Sequence, residues 1–442
     1  MVKALMGRSA SEIIERDSRL FMRCYPARTK LVIARGRGAE VWDVEGKRYL
    51  DLFSGIAVNN VGHCHPRVVE AIRRQSEELI HTSMLYYNET VLKLAEKLAG
   101  IVPSGLSRFF FANSGAEAVE GAVKLAKKYA AKRGMGGAQV IALDCSFHGR
   151  TSLALTLTGQ KKYKQGLGNF ANSPGVVHAP SPYCYRCPLG LRYPECGIAC
   201  ADALERVFEF RTSGEVAAVI VEPVQGEGGI IVPPDEYLPR VQSICREHGA
   251  AFIVDEVQTG LGRTGKIFAA EHWGLEPDIM TMAKALGGGL PIGAIAAREE
   301  VANAFEAGDH FSTFGGNPVS CAAAIAAIDV LIDEKLHERA EKLGNLLLKM
   351  FRNAQDEAEL IGDVRGKGLM IGIELVKDRE GKQPASDEAS KTSEEALKKG
   401  IIIGVGGVKK NVIRIQPPLV ITEEQAQKAA EEIIAIIKQI KK

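Results

Sequence analysis

The sequence predicts an α/β protein, with a large domain on a mostly parallel sheet and a smaller α+β domain beside it. Three observations predict this. Short apolar runs at 139–143, 216–221, 250–254, 278–282 and 293–297 alternate with helical stretches, the rhythm of strand–helix–strand units. After about residue 320 that rhythm gives way to a long helix, two strands and a closing helix. At 442 residues the chain exceeds what one typical core accommodates. The expected division is a large domain over 61–320, with 1–60 and 321–442 together forming the small one.

In chain order, 11–20 reads as a helix, and 41–44 with 49–53 reads as a hairpin turning at Glu45-Gly46. Pro66 opens a helix running to about residue 80, where its missing N–H costs nothing at the first turn. A further helix fits 89–98, and 108–112 reads as a strand. Ser114 followed three residues later by Glu117 predicts a capping box, and Val119, Ala122, Val123 and Ala126 give the helix behind it one apolar face. Towards the C-terminus, 322–354 reads as one long amphipathic helix and 369–375 as a strand. The polar stretch 377–391 reads as an exposed loop, 411–416 as a strand and 423–438 as the last helix.

Composition limits the function. Apolar content of 46% and charged content of 25% are those of an ordinary soluble globular chain. A net charge of +2, from 56 basic and 54 acidic residues, argues against a dedicated nucleic-acid binder. No apolar run approaches a membrane span, and the charged first twenty residues contain no signal core. Nine cysteines, an odd number, fit free thiols in a reducing cytoplasm.

Two strand ends draw attention first. The run 251–254 leads into Asp255-Glu256 and the run 279–282 leads to Lys284, so an acid and a lysine meet the crevice at the carboxyl edge of the sheet. A lysine desolvated in such a pocket becomes a Schiff-base nucleophile. The turn Ser114-Gly115-Ala116 puts free amides at a helix N-terminus, an anion site suited to phosphate. Phe147-His148-Gly149-Arg150 follows a strand, offering an aromatic for a planar ring and a guanidinium for a carboxylate. Glu222 follows another strand, Thr313 offers a hydroxyl, and Arg414 is a cation inside an apolar strand, unusual without an anionic partner. Together these describe the needs of a phosphorylated ring cofactor bound through a lysine, namely pyridoxal 5'-phosphate.

The chain resembles the class III aminotransferases, the family of 4-aminobutyrate, ornithine and acetylornithine aminotransferases, nearly end to end. The resemblance runs through GAEVWDVEGKRYLDLFSGIAVNNVGHCHP, NSGAEAVEGAVKLA, FHGRT, EPVQGEGG, DEVQTGLGRTG, MAKALGGGLPIGA, STFGGNP and VIRIQPPL, with Lys284 29 positions after Asp255. It implies the fold type I architecture of pyridoxal-phosphate enzymes, a ping-pong mechanism and a homodimer with shared sites, with pairing of dimers into tetramers left open. The implied cofactor contacts are Ser114, Gly115, Ala116, Phe147, His148, Glu222, Asp255, Val257, Gln258, Lys284 and Thr313. Lys284 forms the Schiff base and then moves protons, Asp255 faces the ring nitrogen, and Gln258 meets the ring hydroxyl. Phe147 stacks on the ring, and Thr313 comes from the neighbouring subunit.

For substrates the resemblance places Arg414 on the α-carboxylate of 2-oxoglutarate or glutamate, Arg150 on a distal carboxylate, and Ile56 at an apolar wall. It pairs Glu222 with Arg414 when the donor brings a terminal amine. The reading that follows is a transaminase moving the amine of an ω-amino acid such as 4-aminobutyrate to 2-oxoglutarate. The alternative within the family is a racemase or epimerase using the same lysine, against which Glu227 stands as the aminotransferase residue. A cofactor-free scaffold would have lost Lys284, Asp255 or the phosphate turn, and none is lost.

Two clusters invite a metal. Cys184, Cys187, Cys196 and Cys200 have C-x2-C-x8-C-x3-C spacing, looser in its second half than a zinc ribbon, and packing or a disulfide is the favoured reading. His63-Cys64-His65 matches a structural turn of the family. No metal is expected at either.

Overall fold

The computed structural model describes residues 9–440 apart from 26, 27 and 174. Its centre is a seven-stranded sheet. Its strands are β4 (Leu106–Ala112), β5 (Gln139–Leu143), β6 (Val176–Ala179), β7 (Val216–Val221), β8 (Ala251–Asp255), β9 (Ile279–Met282) and β10 (Gly293–Arg298). They follow β1 (Ile33–Arg37), β2 (Glu40–Asp43) and β3 (Arg48–Asp51) in the chain. The sheet order is β4-β10-β9-β8-β7-β5-β6. From β9 to β6 every pair is parallel, and β10 runs antiparallel to both its neighbours. The central parallel strands β7, β8 and β9 are buried at every residue, which is why they read as largely unbroken apolar runs.

Two four-stranded sheets flank this one. The strands β11 (Ile361–Lys367), β12 (Met370–Leu375), β13 (Ile401–Ile402), β14 (Gly404–Gly406) and β15 (Val412–Ile415) come from the C-terminal part. One small sheet has the order β11-β12-β15-β14; the other joins the N-terminal β1-β2-β3 to β13 by a parallel pairing of β3 with β13. The chain's beginning and end therefore share one sheet.

Arg263 ties these parts together. Fully buried, it donates through Nη1 to the carbonyls of Leu369 at 2.9 Å and Pro417 at 2.6 Å. Through Nη2 it donates to Asn60 Oδ1 at 2.5 Å and Ser54 Oγ at 3.3 Å. A side chain from the segment after β8 thus joins side chains near the start of the chain to backbone carbonyls near its end.

Three expectations fail in instructive ways. The helix expected over 322–354 is two, Pro318–Asp333 and Leu336–Gln355, because Lys335 takes a left-handed backbone (φ 49°) that turns Leu336 into the core. The polar stretch expected as an open loop becomes helical at Ser386–Lys398 after a bridge between Val376 and Pro384 closes the turn. That helix buries Ala389, Thr392 and Ala396, side chains too small or too polar to make a strong apolar stripe. The capping box at Ser114 is half made. Ser114 Oγ accepts from the Glu117 amide at 3.2 Å, but the Glu117 carboxylate turns to the Asn113 amide rather than to that of Ser114.

Candidate active site

Parallel strands deliver their carboxyl ends to one edge, and the chemistry collects there. Asp255 closes β8, Glu222 follows β7, Lys284 stands two residues past β9, and Phe147 lies on the loop after β5. A cavity of about 360 Å³ opens at this edge. Its lining includes Ser114, Gly115, Ala116, Phe147, His148, Glu222, Asp255, Val257, Gln258 and Lys284, ten of the eleven expected cofactor contacts. The eleventh, Thr313, is exposed and outside the lining contributed by this one chain.

Asp255 is held from three directions. Its Oδ1 accepts from the Val257 amide at 3.1 Å and from Thr281 Oγ1 at 3.0 Å, and its Oδ2 meets His148 Nδ1 at 2.7 Å. Thr281 faces Asp255 across the β8–β9 pairing, so a hydroxyl in the otherwise apolar run Ile-Met-Thr-Met was the sequence signal for this support. Burial pulls the His148 pKa down, but the Asp255 hydrogen bond and charge outweigh it and the net shift is upward. His148 Nε2 is buried without a hydrogen-bond partner.

Lys284 is half-buried at the cavity wall, and its backbone takes φ 46° at the start of a short 3-10 turn. Burial lowers its pKa to about 8, against the opposing pull of the Asp255 and Glu222 charges. The amine is then free at mildly alkaline pH, where an ordinary lysine stays protonated, as a nucleophile requires.

On the far side, the helix Gly115–Lys132 points its N-terminus at the cavity, and the Gly115 and Ala116 amides fall in the first turn where no intrahelical acceptor exists. A Cβ on Gly226 would lie 2.1 Å from Gln258 Oε1, so any larger residue there displaces the Gln258 amide. Gln258 is fixed by Gln416 Nε2, which donates to its Oε1 at 3.0 Å.

The substrate residues are placed differently from expectation. Glu222 does not pair with Arg414. Its Oε1 accepts from the Phe147 amide at 2.8 Å and its Oε2 from the Gly226 amide at 3.0 Å, so it fastens two loops of the cavity; burial raises its pKa to about 7. Arg414 pairs instead with Glu227, Nη1 donating to Oε2 at 2.7 Å. The glycines after Glu227 allow this: Gly229, at φ 121°, lets the loop fold back over β15. Arg414 lies flat on Gly406 of the neighbouring β14, where a Cβ would come within 2.6 Å of Nε, and that Nε is buried with no partner. Arg150 lies outside the cavity lining and stacks on Tyr163 and Phe147, its Cζ 4.4 Å and 5.5 Å from their ring centroids. Ile56 is 45% exposed, and Val58 lines the cavity in its place. Tyr163, Lys162 and Thr281 belong to this neighbourhood and were not singled out from the sequence.

The four thiols at 184, 187, 196 and 200 line a separate cavity of about 20 Å³. All are unbonded, and among the described residues no group of three or more His, Cys, Asp or Glu is arranged to hold a metal ion. The segment is anchored on β12, where buried Glu374 accepts from Tyr183 Oη and from Arg186 Nε. His63 likewise pairs with Asp51 at 2.8 Å, and His65 with Glu334 at 3.3 Å.

The cavity fits a phosphorylated pyridine aldehyde. Its volume lies in the range of small cofactor sites. Unpaired helix amides face an anchored carboxylate, a half-buried lysine stands at the same edge, and His148 Nε2, buried at the lining, has no hydrogen-bond partner. Among the described residues, no helix is long and apolar enough to cross a membrane.

Comparison with known proteins agrees. The family model for class-III aminotransferases matches residues 24–437. An acetylornithine aminotransferase of Methanothermobacter thermautotrophicus is 46% identical over 97% of this chain and 99% of its own length. A leucine/methionine racemase of Thermococcus litoralis is 43% identical over 96% and 94%. A probable 4-aminobutyrate aminotransferase of Bacillus subtilis is 41% identical over 88% of each chain. Among solved structures, a Bacillus anthracis aminotransferase superposes with TM-score 0.91 at 34% identity, covering 97% of this chain and 98% of its own. The ornithine aminotransferase of Toxoplasma gondii, described with partial occupancy of PLP at its active site, superposes with TM-score 0.86 at 34% identity, covering 97% and 94%.

Proposed function

This chain belongs to the class-III aminotransferase family, whose cofactor is pyridoxal 5'-phosphate, and from that premise we propose that it moves a terminal amino group to 2-oxoglutarate. The donor is an amino acid with a primary amine at one end and a carboxylate at the other. N2-acetylornithine and 4-aminobutyrate share that chemistry, and similar relatives carry both names. The single observation that carries the reading is the Glu227–Arg414 pair. With Glu227 on Arg414, the guanidinium charge is neutralised and the pocket accepts the uncharged reacting end of a terminal-amine donor. With Glu227 withdrawn, Arg414 and its unpartnered Nε receive the α-carboxylate of 2-oxoglutarate or glutamate. One pocket then serves both halves of a ping-pong reaction.

When bound, the cofactor supplies an electrophilic aldehyde and an electron-withdrawing ring. Gly115 and Ala116, with Ser114 beside them, would hold the phosphate through their amides. Asp255, fixed by Thr281, Val257 and His148, would favour a proton on the ring nitrogen. Phe147, Val257 and Gln258 line the cavity and would contact the ring, Phe147 on a face and Gln258 at its hydroxyl. Lys284 Nζ would hold the cofactor and, once freed, would serve as the proton carrier at the substrate carbon that bears the amine. Arg150 is the cation for the distal carboxylate, and Ile56 is assigned to the apolar wall of the completed site.

We also propose a homodimer with shared sites. Thr313 is exposed beside Phe311 and Phe314, which are 52% and 60% exposed, and Phe314 packs at a tilt on His81 with ring centroids 5.0 Å apart. Met84, Leu85, Tyr86 and Tyr87 add exposed apolar surface within the same stretch of chain as His81. A second copy over this face covers it and supplies Thr313 to the partner's phosphate site. The division into 61–320 and 1–60 with 321–442 is retained, on the pairing of β3 with β13.

The test is steady-state. Purified, cofactor-loaded enzyme with 2-oxoglutarate and either terminal-amine donor forms L-glutamate; a preparation that forms none with either, yet converts L-leucine to a D/L mixture, is a racemase, as one similar relative is named.

A further inference from the structure

The Glu227 carboxylate is gripped on two sides. Oε2 accepts from Arg414, and Oε1 accepts from the Tyr163 hydroxyl at 2.6 Å, with Lys162 Nζ 4.0 Å from the same oxygen. Tyr163 and Lys162 belong to the 3-10 turn Lys161–Tyr163, while Arg414 belongs to β15, so the acid bridges elements far apart in the chain. The Tyr163 ring also carries Arg150, and it packs edge-on against Phe147 with centroids 5.4 Å apart. Lys162 is fixed in turn by the Gly407 carbonyl, to which it donates at 3.2 Å. One tyrosine therefore touches the acid that covers the first carboxylate site and the cation proposed for the second.

We propose that Tyr163 is a positioning residue that keeps Glu227 hydrogen-bonded after it releases Arg414, and so sets the balance between terminal-amine donors and dicarboxylate substrates. The proposal rests on the switching pair of the preceding section. Withdrawing Glu227 from Arg414 strands a carboxylate whose side chain is only 19% exposed, which is costly without a replacement partner. Tyr163 donates to Oε1 and Arg414 to Oε2, so the acid's two partners use different oxygens and the Tyr163 bond does not depend on the Arg414 one, with the Lys162 charge 4.0 Å from Oε1. The hydroxyl then contributes more to the open state, where it is a principal partner, than to the closed state, where Arg414 dominates. A tyrosine that merely packed under Arg150 would do the same work as phenylalanine.

The experiment compares wild type with Tyr163→Phe, reading both half-reactions and the calorimetric affinity for glutarate, a dicarboxylate without an amine. We expect glutarate to bind about tenfold more weakly, and kcat/KM for L-glutamate to fall about tenfold further than that for the terminal-amine donor. An unchanged glutarate affinity, or an equal fall in both half-reactions, overturns the proposal. Should Tyr163→Phe fail to fold, Lys162→Met is read by the same two criteria, with a smaller shift in the same direction. A wild type that binds no glutarate and accepts no terminal amine is a different failure: it removes the switching pair itself, and the proposal falls with it.

Discussion

Arg414 Nη1 stands 2.7 Å from Glu227 Oε2, with the arginine side chain 5% exposed and the acid reaching it from a loop on the large sheet. Burial pushes the Glu227 pKa up, but Arg414, Tyr163 and Lys162 outweigh it, so the acid is held below the usual carboxylate range and remains charged. Glu227→Gln keeps the shape and removes the charge. Arg414 is then unneutralised, and selectivity shifts towards L-glutamate over terminal-amine donors by about tenfold or more, the scale of one charge-assisted hydrogen bond. Paired half-reaction rates check it. An unchanged ratio would mean that the pair is structural only.

Lys284 sets a pH dependence. With its pKa lowered to about 8 by burial, the amine is protonated below that value and free above it. The rate at which apoenzyme captures pyridoxal 5'-phosphate, followed by absorbance, rises with pH and levels off above about 8. Lys284→Ala abolishes capture through the amine at every pH. A capture rate in wild type that is flat from pH 6 to 9 contradicts this account.

The positions of the strands were legible because parallel strands buried on both faces leave unbroken β-branched runs, as in β7 and β8. The cofactor edge followed, since a strand's end fixes where Asp255 and Lys284 point. The partner of Arg414 was not legible. Glu222 and Glu227 are five residues apart on one glycine-rich loop, and which of them faces β15 depends on the backbone turn at Gly226–Gly229, not on residue type. Tyr163 escaped notice for the same reason, since its site is made by a turn distant in sequence from both Glu227 and Arg414. The helix break at Lys335 was hidden by apolar spacing that continues on both sides, and the helix Ser386–Lys398 by a buried face made of Ala389, Thr392 and Ala396.

Arg263 offers a stability test away from the chemistry. Its guanidinium serves the Leu369 and Pro417 carbonyls and Asn60 Oδ1, all of which lose their donor in Arg263→Met. Unsatisfied buried acceptors cost about 2–4 kcal/mol together, so the midpoint of denaturant unfolding falls in the cofactor-loaded enzyme. Equal stability would show that water replaces the guanidinium.

Glu256 supplies a second pH prediction, this time for stability. Burial raises its pKa from 4.5 to about 7, against the opposing hydrogen bonds from Thr259 and the Ala270 amide. A carboxyl whose folded pKa is raised contributes stability that is present below about 4.5 and is lost as pH rises through about 7. Glu256→Gln removes that contribution to the slope, so its unfolding free energy varies less between pH 4.5 and 7 than that of wild type, by on the order of 2 kcal/mol. A variant with the wild-type slope places the titration elsewhere.

The most direct test of one pocket serving two substrates is a half-reaction without any keto acid. Cofactor-loaded enzyme is mixed separately with N2-acetylornithine, 4-aminobutyrate and L-glutamate, and the cofactor spectrum is followed. Conversion from the aldehyde to the amine form by L-glutamate and by at least one terminal-amine donor is the result predicted from the Glu227–Arg414 pair. Conversion by L-glutamate alone, or a spectrum that never changes while an L-amino acid is racemised, contradicts it.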